Sequence, residues 1–193
     1  MGTYEKGLSD VLTYPLAPGA ELRALEPPYA EQFATFIDRH RAHLEPWLPW
    51  AAALTDVDKT RQWLQRYADD TARDSGRIYG IWLDGELAGG VLFRTFDTRF
   101  ATAEIGVWLA PYAEGRGLVT AAARRMIEWA VGERGINRVE WRTVPSNARS
   151  IACAERLGMT LDGVLREAFP YRGVAHDVLV YSLLASEWKA AKP

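Results

Sequence analysis

The feature that most constrains the fold is a strand, a glycine loop and a helix in direct succession. Thr102 to Leu109 alternates with the period of a β-strand. After Pro111 comes a loop that contains Gly115 and Gly117, and an amphipathic helix is predicted from Leu118 to Glu133. This order is typical of an α/β domain.

The rest of the chain interleaves strands and helices in the same way. Asp84-Gly85 and Tyr171-Arg172-Gly173 each predict the turn of a hairpin. The pattern predicts a single mixed-sheet α/β domain over residues 1–193, with a tail and a first strand in about the first 20 residues. The other predicted elements are helices at 29–43, about 56–74 and 147–158, and strands at 77–83, 86–96, 138–144, 159–168 and 175–184.

Composition excludes several classes of protein. No apolar run approaches the roughly 18 residues that a membrane span needs, and the first residues lack the layout of a signal peptide. The single cysteine, Cys153, excludes an intrachain disulfide framework and a zinc site built from several cysteines. The net charge of −2 is far from that of a nucleic-acid-binding protein. We therefore expect a cytoplasmic protein that binds neither nucleic acid nor membrane.

Charge is distributed unevenly along the chain. Residues 1–100 have a net charge of −4, whereas residues 111–158 have a net charge of +3. A small anionic ligand in the later segment fits this distribution, and an extended polyanion does not.

The glycine loop has the composition of a phosphate site. The first turn of a helix leaves four backbone N–H groups without partners, and the helix dipole favours an anion there. Gly115 and Gly117 let a phosphate approach the amides, Arg116 adds a positive charge, and Thr120 offers a hydroxyl. The alternative is that the glycines only let the chain turn. A dinucleotide fingerprint is disfavoured, because Thr120 stands where its third glycine is required.

Downstream residues extend the pattern to a known family. Asn147-Ala148-Arg149-Ser150 opens a second short helix, and Leu157-Gly158-Met159 closes it. With these segments the chain resembles the GNAT superfamily of acyl-CoA-dependent N-acyltransferases, in particular its Rim-type branch, which acetylates the N-termini of ribosomal proteins. The resemblance implies the GNAT fold, a twisted, mostly antiparallel mixed sheet of about seven strands flanked by helices. It spans nearly the whole chain, with matching segments at 44–50, 103–109, 115–117, 147–159 and 173–188.

The resemblance also implies a coenzyme site. The superfamily pattern Gln/Arg-x-x-Gly-x-Gly/Ala falls on residues 114–119, where Gly117 matches, Glu114 departs, and Val119 replaces a small residue. By resemblance, acetyl-CoA is a cosubstrate whose pantetheine arm lies along the backbone of one strand and against Asn147. The implied coenzyme-binding residues are Val107, Trp108, Leu109, Gly115, Arg116, Gly117, Leu118, Val119, Thr120 and Asn147.

Acyl transfer to an amine needs a group that accepts the amine proton, and Glu104 is the candidate. Ala103, Ile105, Val107 and Leu109 share the apolar face of their strand, so Glu104 points to the other face with Gly106 and Trp108. A positioned carboxylate can take a proton directly or through water. Rim-type enzymes have a glutamate at the matching place. The alternative is a glutamate held in a salt bridge.

The departing thiolate needs a proton, and several donors are candidates. Asn147 is predicted to cap its helix. Ser150, one turn into that helix, is the first candidate donor, and its alternative role is a second capping contact. Thr143 is the rival, since some Rim-type enzymes have a cysteine there, and water is the third candidate.

Three aromatic residues are candidates for the acceptor site. Trp47 and Trp50 lie in a segment that two prolines interrupt, and Tyr171 lies in the last hairpin. Each has an alternative role in packing or in a turn. His40 and His43 are spaced i, i+3 without an acidic or cysteine partner in sequence, so no metal site is predicted.

The reaction expected is transfer of an acetyl group from acetyl-CoA to a primary amine, by direct attack in a ternary complex. The acceptor is a protein or peptide N-terminus or a small-molecule amine, and the residues do not distinguish these or exclude a longer acyl donor. The alternative is a non-catalytic acyl-CoA sensor or protein-interaction module on the same fold. The resemblance also makes a homodimer plausible.

Overall fold

The computed structural model describes residues 13–191, so residues 1–12 of the predicted tail lie outside the described residues. The strands are β1 Thr13–Ala17, β2 Ala20–Ala24, β3 Arg77–Leu83, β4 Glu86–Asp97, β5 Thr102–Leu109, β6 Arg138–Thr143, β7 Thr160–Tyr171 and β8 Val174–Leu184. The helices are α1 Ala30–Leu44, α2 Pro49–Ala53, α3 Val57–Ala72, α4 Leu118–Gly132, α5 Ala148–Arg156 and α6 Ala185–Ala190.

The strands form one mixed sheet in the order β1-β2-β3-β4-β5-β6-β8-β7. The pair β5 and β6 is parallel, whereas β6 and β8, β7 and β8, and the first three strands pair antiparallel. This confirms the predicted fold class, with eight strands among residues 13–191 where the sequence predicts about seven. The additional strand is β2, which has only five residues and is therefore too short to show a clear period. No helix within residues 13–191 is long and apolar enough to cross a bilayer.

The chain folds into two compact units. The described parts of unit 1 are residues 13–70, 78–91 and 107–122, and those of unit 2 are 71–77, 92–106 and 123–191. The prediction that residues 1–193 form a single domain stays a prediction.

Unit 1 is built around an aromatic cluster, defined here as Phe33, Trp50, Trp63 and Trp108. The ring centroid of Trp50 lies 5.8 Å from that of Phe33, 5.3 Å from that of Trp63 and 5.6 Å from that of Trp108. Trp108 reaches this position because β4 has Gly90 beside it, where a Cβ would come within 2.1 Å of the Trp108 ring. The cluster joins three helices to β5, and the short helix α2 forms despite the two prolines because Pro49 occupies its first turn.

Unit 2 contains a second aromatic centre, in which two arginines flank a tryptophan. The guanidinium carbons of Arg77 and Arg134 lie 4.6 and 5.0 Å from the ring centroid of Trp129. Both arginines also contact the carboxylate of Asp74, with Arg134 Nη1 3.0 Å from Oδ1. The hydrogen bond from Arg134 lowers the pKa of Asp74, and the charges of Arg134 and Arg77 add to this.

Candidate active site

The glycine loop has the backbone conformation that its composition suggests. It follows a 3-10 turn at Pro111–Ala113 that comes directly after β5. Gly115 has φ +75° and Gly117 has φ +72°, a region that favours glycine. A Cβ at either position would meet no other atom within 4 Å. The backbone conformation, rather than crowding by the protein, therefore favours glycine, and the space beside the loop is open.

The loop leads directly into the N-terminus of α4. The N–H of Ala121 donates to the carbonyl of Gly117 at 2.9 Å, so helical hydrogen bonding begins at Gly117. The first amides of a helix have no partner within that helix, and they point toward the preceding loop. Leu118 is buried, Arg116 is exposed, and Val119 and Thr120 are half-buried.

The strand that precedes the loop keeps its predicted alternation only as far as Ile105. Gly106 and Val107 are both half-buried, and Trp108, which we predicted on the same face as Glu104, is a core residue with 3% exposure. The expected apolar face therefore does not continue through Val107 and Leu109, and Gly90 of β4 leaves the space that the Trp108 ring occupies. The parallel ladder with β6 spans Thr102–Ile105 and leaves the last four residues of β5 beyond it.

Glu104 is mostly buried, with 14% of its side chain exposed. Arg94 Nη1 lies 3.3 Å from Oε1, and Arg142 Nε lies 3.7 Å from Oε2. The salt-bridged state that we considered for this residue is therefore present. It does not conflict with a role as a base, because an ionised carboxylate is the form that accepts a proton.

Glu104 is one member of a charged row with residues on four strands, defined here as Arg94, Glu104, Arg142, Glu140, Arg138 and Asp162. Arg142 Nη2 lies 2.9 Å from Glu140 Oε2, and Arg138 Nε lies 2.9 Å from Glu140 Oε1. Arg138 Nη2 lies 2.6 Å from Asp162 Oδ2. Sequence reasoning missed this row, because only the contacts of Glu140 with Arg138 and Arg142 lie within one strand, and the others form through strand pairing.

Hydrogen bonds in the charged row hold two of its carboxylates, those of Glu140 and Asp162, ionised. Burial acts to raise the pKa of Glu140, but hydrogen bonds from Arg138 and Arg142 outweigh it, so the pKa is lowered. The hydrogen bond from Arg138 lowers the pKa of Asp162, and Ser182 contributes a second bond. The row is thus an alternation of arginines and carboxylates.

Asn147 caps α5 as predicted. Its Oδ1 accepts a hydrogen bond from the N–H of Ser150 at 3.1 Å. The Ser150 hydroxyl oxygen in turn accepts a hydrogen bond from Trp141 Nε1 at 2.9 Å, which leaves the hydroxyl hydrogen able to donate elsewhere. Thr143, the rival proton donor, is buried with 8% exposure.

The three candidate acceptor residues have different surroundings. Trp47 is 38% exposed, whereas Trp50 belongs to the aromatic cluster of unit 1. Tyr171 lies in unit 2, where its ring stacks on Phe169 at 5.6 Å and Arg172 lies over it at 5.4 Å. The alternative role in packing that we considered for Trp50 and Tyr171 is therefore present in both residues.

The two helical histidines have partners that the sequence did not reveal. His43 Nε2 lies 3.2 Å from Glu114 Oε1, although we expected no acidic partner. His40 lies against the ring of Tyr112 at 5.7 Å; burial lowers its pKa, and the charges of Arg39 and His43 lower it further.

Over residues 13–191 no three His, Cys, Asp or Glu side chains come together as a metal site. Cys153 is buried in α5, which fits the packing role expected of a buried cysteine.

A mixed sheet in this strand order, with a glycine loop that enters a helix directly after the strand of Glu104, defines the class of acyl-CoA-dependent acyltransferases. The acetyltransferase (GNAT) domain model matches residues 20–160. The chain therefore belongs to the GNAT family, and it is an acetyl-CoA-dependent N-acetyltransferase.

The chain is similar over most of its length to three acetyltransferases. The chain is 35% identical over 176 residues to YdaF of Bacillus subtilis (strain 168), which is provisionally named a ribosomal N-acetyltransferase, and the match covers 89% of this chain and 94% of YdaF. RimL, a ribosomal L7/L12 α-N-protein acetyltransferase solved with coenzyme A, has a TM-score of 0.85 and 26% identity, covering 91% of this chain and 99% of RimL. MccE, a microcin C7 self-immunity acetyltransferase solved with acetyl-CoA and AMP, has a TM-score of 0.82 and 28% identity, covering 88% of this chain and 94% of MccE.

Proposed function

We propose that the enzyme transfers the acetyl group of acetyl-CoA to the N-terminal amine of a ribosomal protein. The observation that carries this is the match to YdaF over most of both chains, supported by the similarity to RimL. A small-molecule amine is the second candidate acceptor, and it is favoured by the comparable similarity to MccE. The test is acetyl-CoA consumption across peptides with different N-terminal residues and a panel of small amines. A preference for small amines over every peptide would overturn the first candidate.

The residues of the loop fit the diphosphate of the coenzyme. The space beside Gly115 and Gly117 is open, and the amides at the start of α4 supply donors to an anion. The Arg116 side chain is exposed and can add a charge. We assign the diphosphate to residues 115–120 and the pantetheine arm to the backbone of residues 107–109 and to Asn147. When bound, acetyl-CoA supplies the activated acetyl group and a thiol leaving group.

Glu104 accepts the proton of the attacking amine, directly or through one water molecule. The new bond joins the amine nitrogen to the acetyl carbon while the carbon–sulfur bond breaks. A free α-amino group has a pKa of about 7.7–8.0, so a modest base is sufficient at neutral pH. We expect Glu104→Gln to lower kcat by about 100-fold or more, the usual range for loss of a general base, while the Kd for coenzyme A stays nearly unchanged. Unchanged turnover would remove Glu104 from the mechanism.

Ser150 donates a proton to the departing sulfur, with Thr143 and water as the alternatives. We expect Ser150→Ala to lower kcat by about tenfold or more at pH 7, because the thiolate then leaves without its donor. Thr143→Val is the matched comparison, since it removes the rival hydroxyl. If Thr143→Val has the larger effect, threonine is the donor, and if neither variant slows the reaction, water is.

Trp47, Trp50 and Tyr171 are proposed to contact the acceptor. Trp47 is the best residue to test, because its exposed ring is not part of the aromatic cluster. Trp47→Ala should raise KM for the peptide and leave KM for acetyl-CoA unchanged. A homodimer and a cytoplasmic location remain predictions, and light scattering of the purified protein tests the first.

A further inference from the structure

The residue of the glycine loop that departs from the family pattern is an acid. Glu114 stands immediately before Gly115, at the position where the pattern has glutamine or arginine. If the loop holds a diphosphate, as the proposed function requires, an uncompensated carboxylate at this point would repel it. Glu114 therefore needs a partner that draws its charge away from the phosphates.

The structure provides such a partner on a distant part of the chain. His43, in the last turn of α1, places Nε2 at 3.2 Å from Glu114 Oε1. The two side chains are only 27% and 31% exposed, so solvent and salt screen their interaction less than that of a surface pair. Both residues belong to unit 1, as do the loop and the first residues of α4.

We infer that His43 is a positioning residue for the coenzyme, acting through Glu114. By holding the carboxylate toward α1, it leaves the amides at the start of α4 to the diphosphate. A glutamine or arginine at position 114 needs no such partner, because neither carries a negative charge. This inference rests on the proposed placement of the diphosphate.

His40 provides a matched control on the same helix. Its ring packs against two aromatic rings, those of Phe36 at 5.0 Å and Tyr112 at 5.7 Å. Replacing His40 removes packing near the loop without releasing the carboxylate of Glu114. The two histidine variants therefore separate a loss of packing from a loss of the contact that holds the Glu114 carboxylate.

The test is calorimetric measurement of the Kd for coenzyme A in the wild type, His43→Ala, Glu114→Gln and the double variant of these two. His40→Ala, alone and combined with Glu114→Gln, is measured as the control. We expect His43→Ala to raise Kd about tenfold, and Glu114→Gln to change it by about twofold or less. The double variant should return to within about twofold of Glu114→Gln, because no carboxylate remains to repel the ligand. Glu114→Gln should not restore any loss caused by His40→Ala.

Either of two binding results would overturn the inference. They are an unchanged Kd in His43→Ala, and a loss that Glu114→Gln does not restore, which would indicate a purely structural role. A second arm uses S-acetylpantetheine, a donor that lacks the diphosphate, and His43→Ala should leave the KM for this donor unchanged. If His43→Ala raises the KM for S-acetylpantetheine as much as the KM for acetyl-CoA, this result also contradicts the inference. If the wild type itself binds no coenzyme A, the proposed function fails instead.

Discussion

The glycine loop and the charged row are organised in opposite ways. The loop is encoded in a few consecutive residues, since Gly115 and Gly117 set its conformation and Leu118 begins the helix that follows it. The charged row is assembled from four strands, and no two of its members on different strands are close in sequence. A loop built from consecutive residues depends on single positions. In a row of side chains from several strands, each interaction is shared among several side chains. Single substitutions should therefore act more strongly on the loop.

The largest effect is expected at Gly117. Gly117→Val forces a β-branched residue to φ +72°, at a cost of about 1–3 kcal/mol, and its side chain enters the space proposed for the diphosphate. Binding of coenzyme A should weaken by at least about 100-fold in calorimetry. Gly163→Val is the control, because a Cβ there also meets nothing within 4 Å but its φ is not in the left-handed region. A Kd for Gly117→Val within about tenfold of the wild-type value would contradict the role of the loop.

A smaller effect is expected at Asp74, another assembled interaction of unit 2. Its folded pKa lies below the unfolded value, so its contribution to stability is present above about pH 4 and is lost as the pH falls through the folded pKa. Asp74→Asn should lower Tm by about 2–4 °C at pH 7, the shift produced by about 1 kcal/mol, and this difference should vanish in strong acid. Asparagine tolerates the φ of +59° at this position.

The control for Asp74 is Asp58→Asn, which alters a side chain that is 84% exposed and paired with Arg61. We expect it to change Tm by less than about 1 °C at either pH, because exposed ion pairs contribute little. An equal loss of Tm in both variants, or a loss in Asp74→Asn that does not depend on pH, would contradict the assignment.

The smallest effect is expected within the charged row itself. Arg142→Gln leaves Glu104 in contact with Arg94 and Glu140 in contact with Arg138. We therefore expect kcat to fall by only about twofold to fivefold, in line with about 0.2–1 kcal/mol for a partly exposed pair. Arg125→Gln is the control, because its side chain is equally exposed at 41% and pairs with Glu128 on α4.

The charged row also predicts non-additivity. In Arg94→Gln combined with Arg142→Gln, Glu104 loses both guanidinium partners, so kcat should fall by more than the product of the two single effects. Additive effects would show that the two arginines do not share the support of Glu104. A loss of about 100-fold from Arg142→Gln alone would contradict the contrast with the loop.

Parts of the molecule that depend on neighbouring residues could be predicted from the sequence. The turn at Asp84-Gly85, the start of α4 at Leu118 and the cap at Asn147 all have the predicted positions. Each depends on the backbone preference of one or two residues or on a side chain that bonds to its own turn. The family pattern extended this to the fold class and to the reaction.

Other parts followed from contacts between distant segments. The strand β2, the core position of Trp108 and the pairing of His43 with Glu114 were not predicted. Local periodicity by itself determined most of the strands and helices, with β2, α2 and α6 as the exceptions. Only the tertiary structure decided which side chains meet, because Gly90 admits the Trp108 ring and α1 brings an imidazole to a carboxylate far along the chain. Such contacts depend on the free energy of packing between segments, which no pattern within a single segment records.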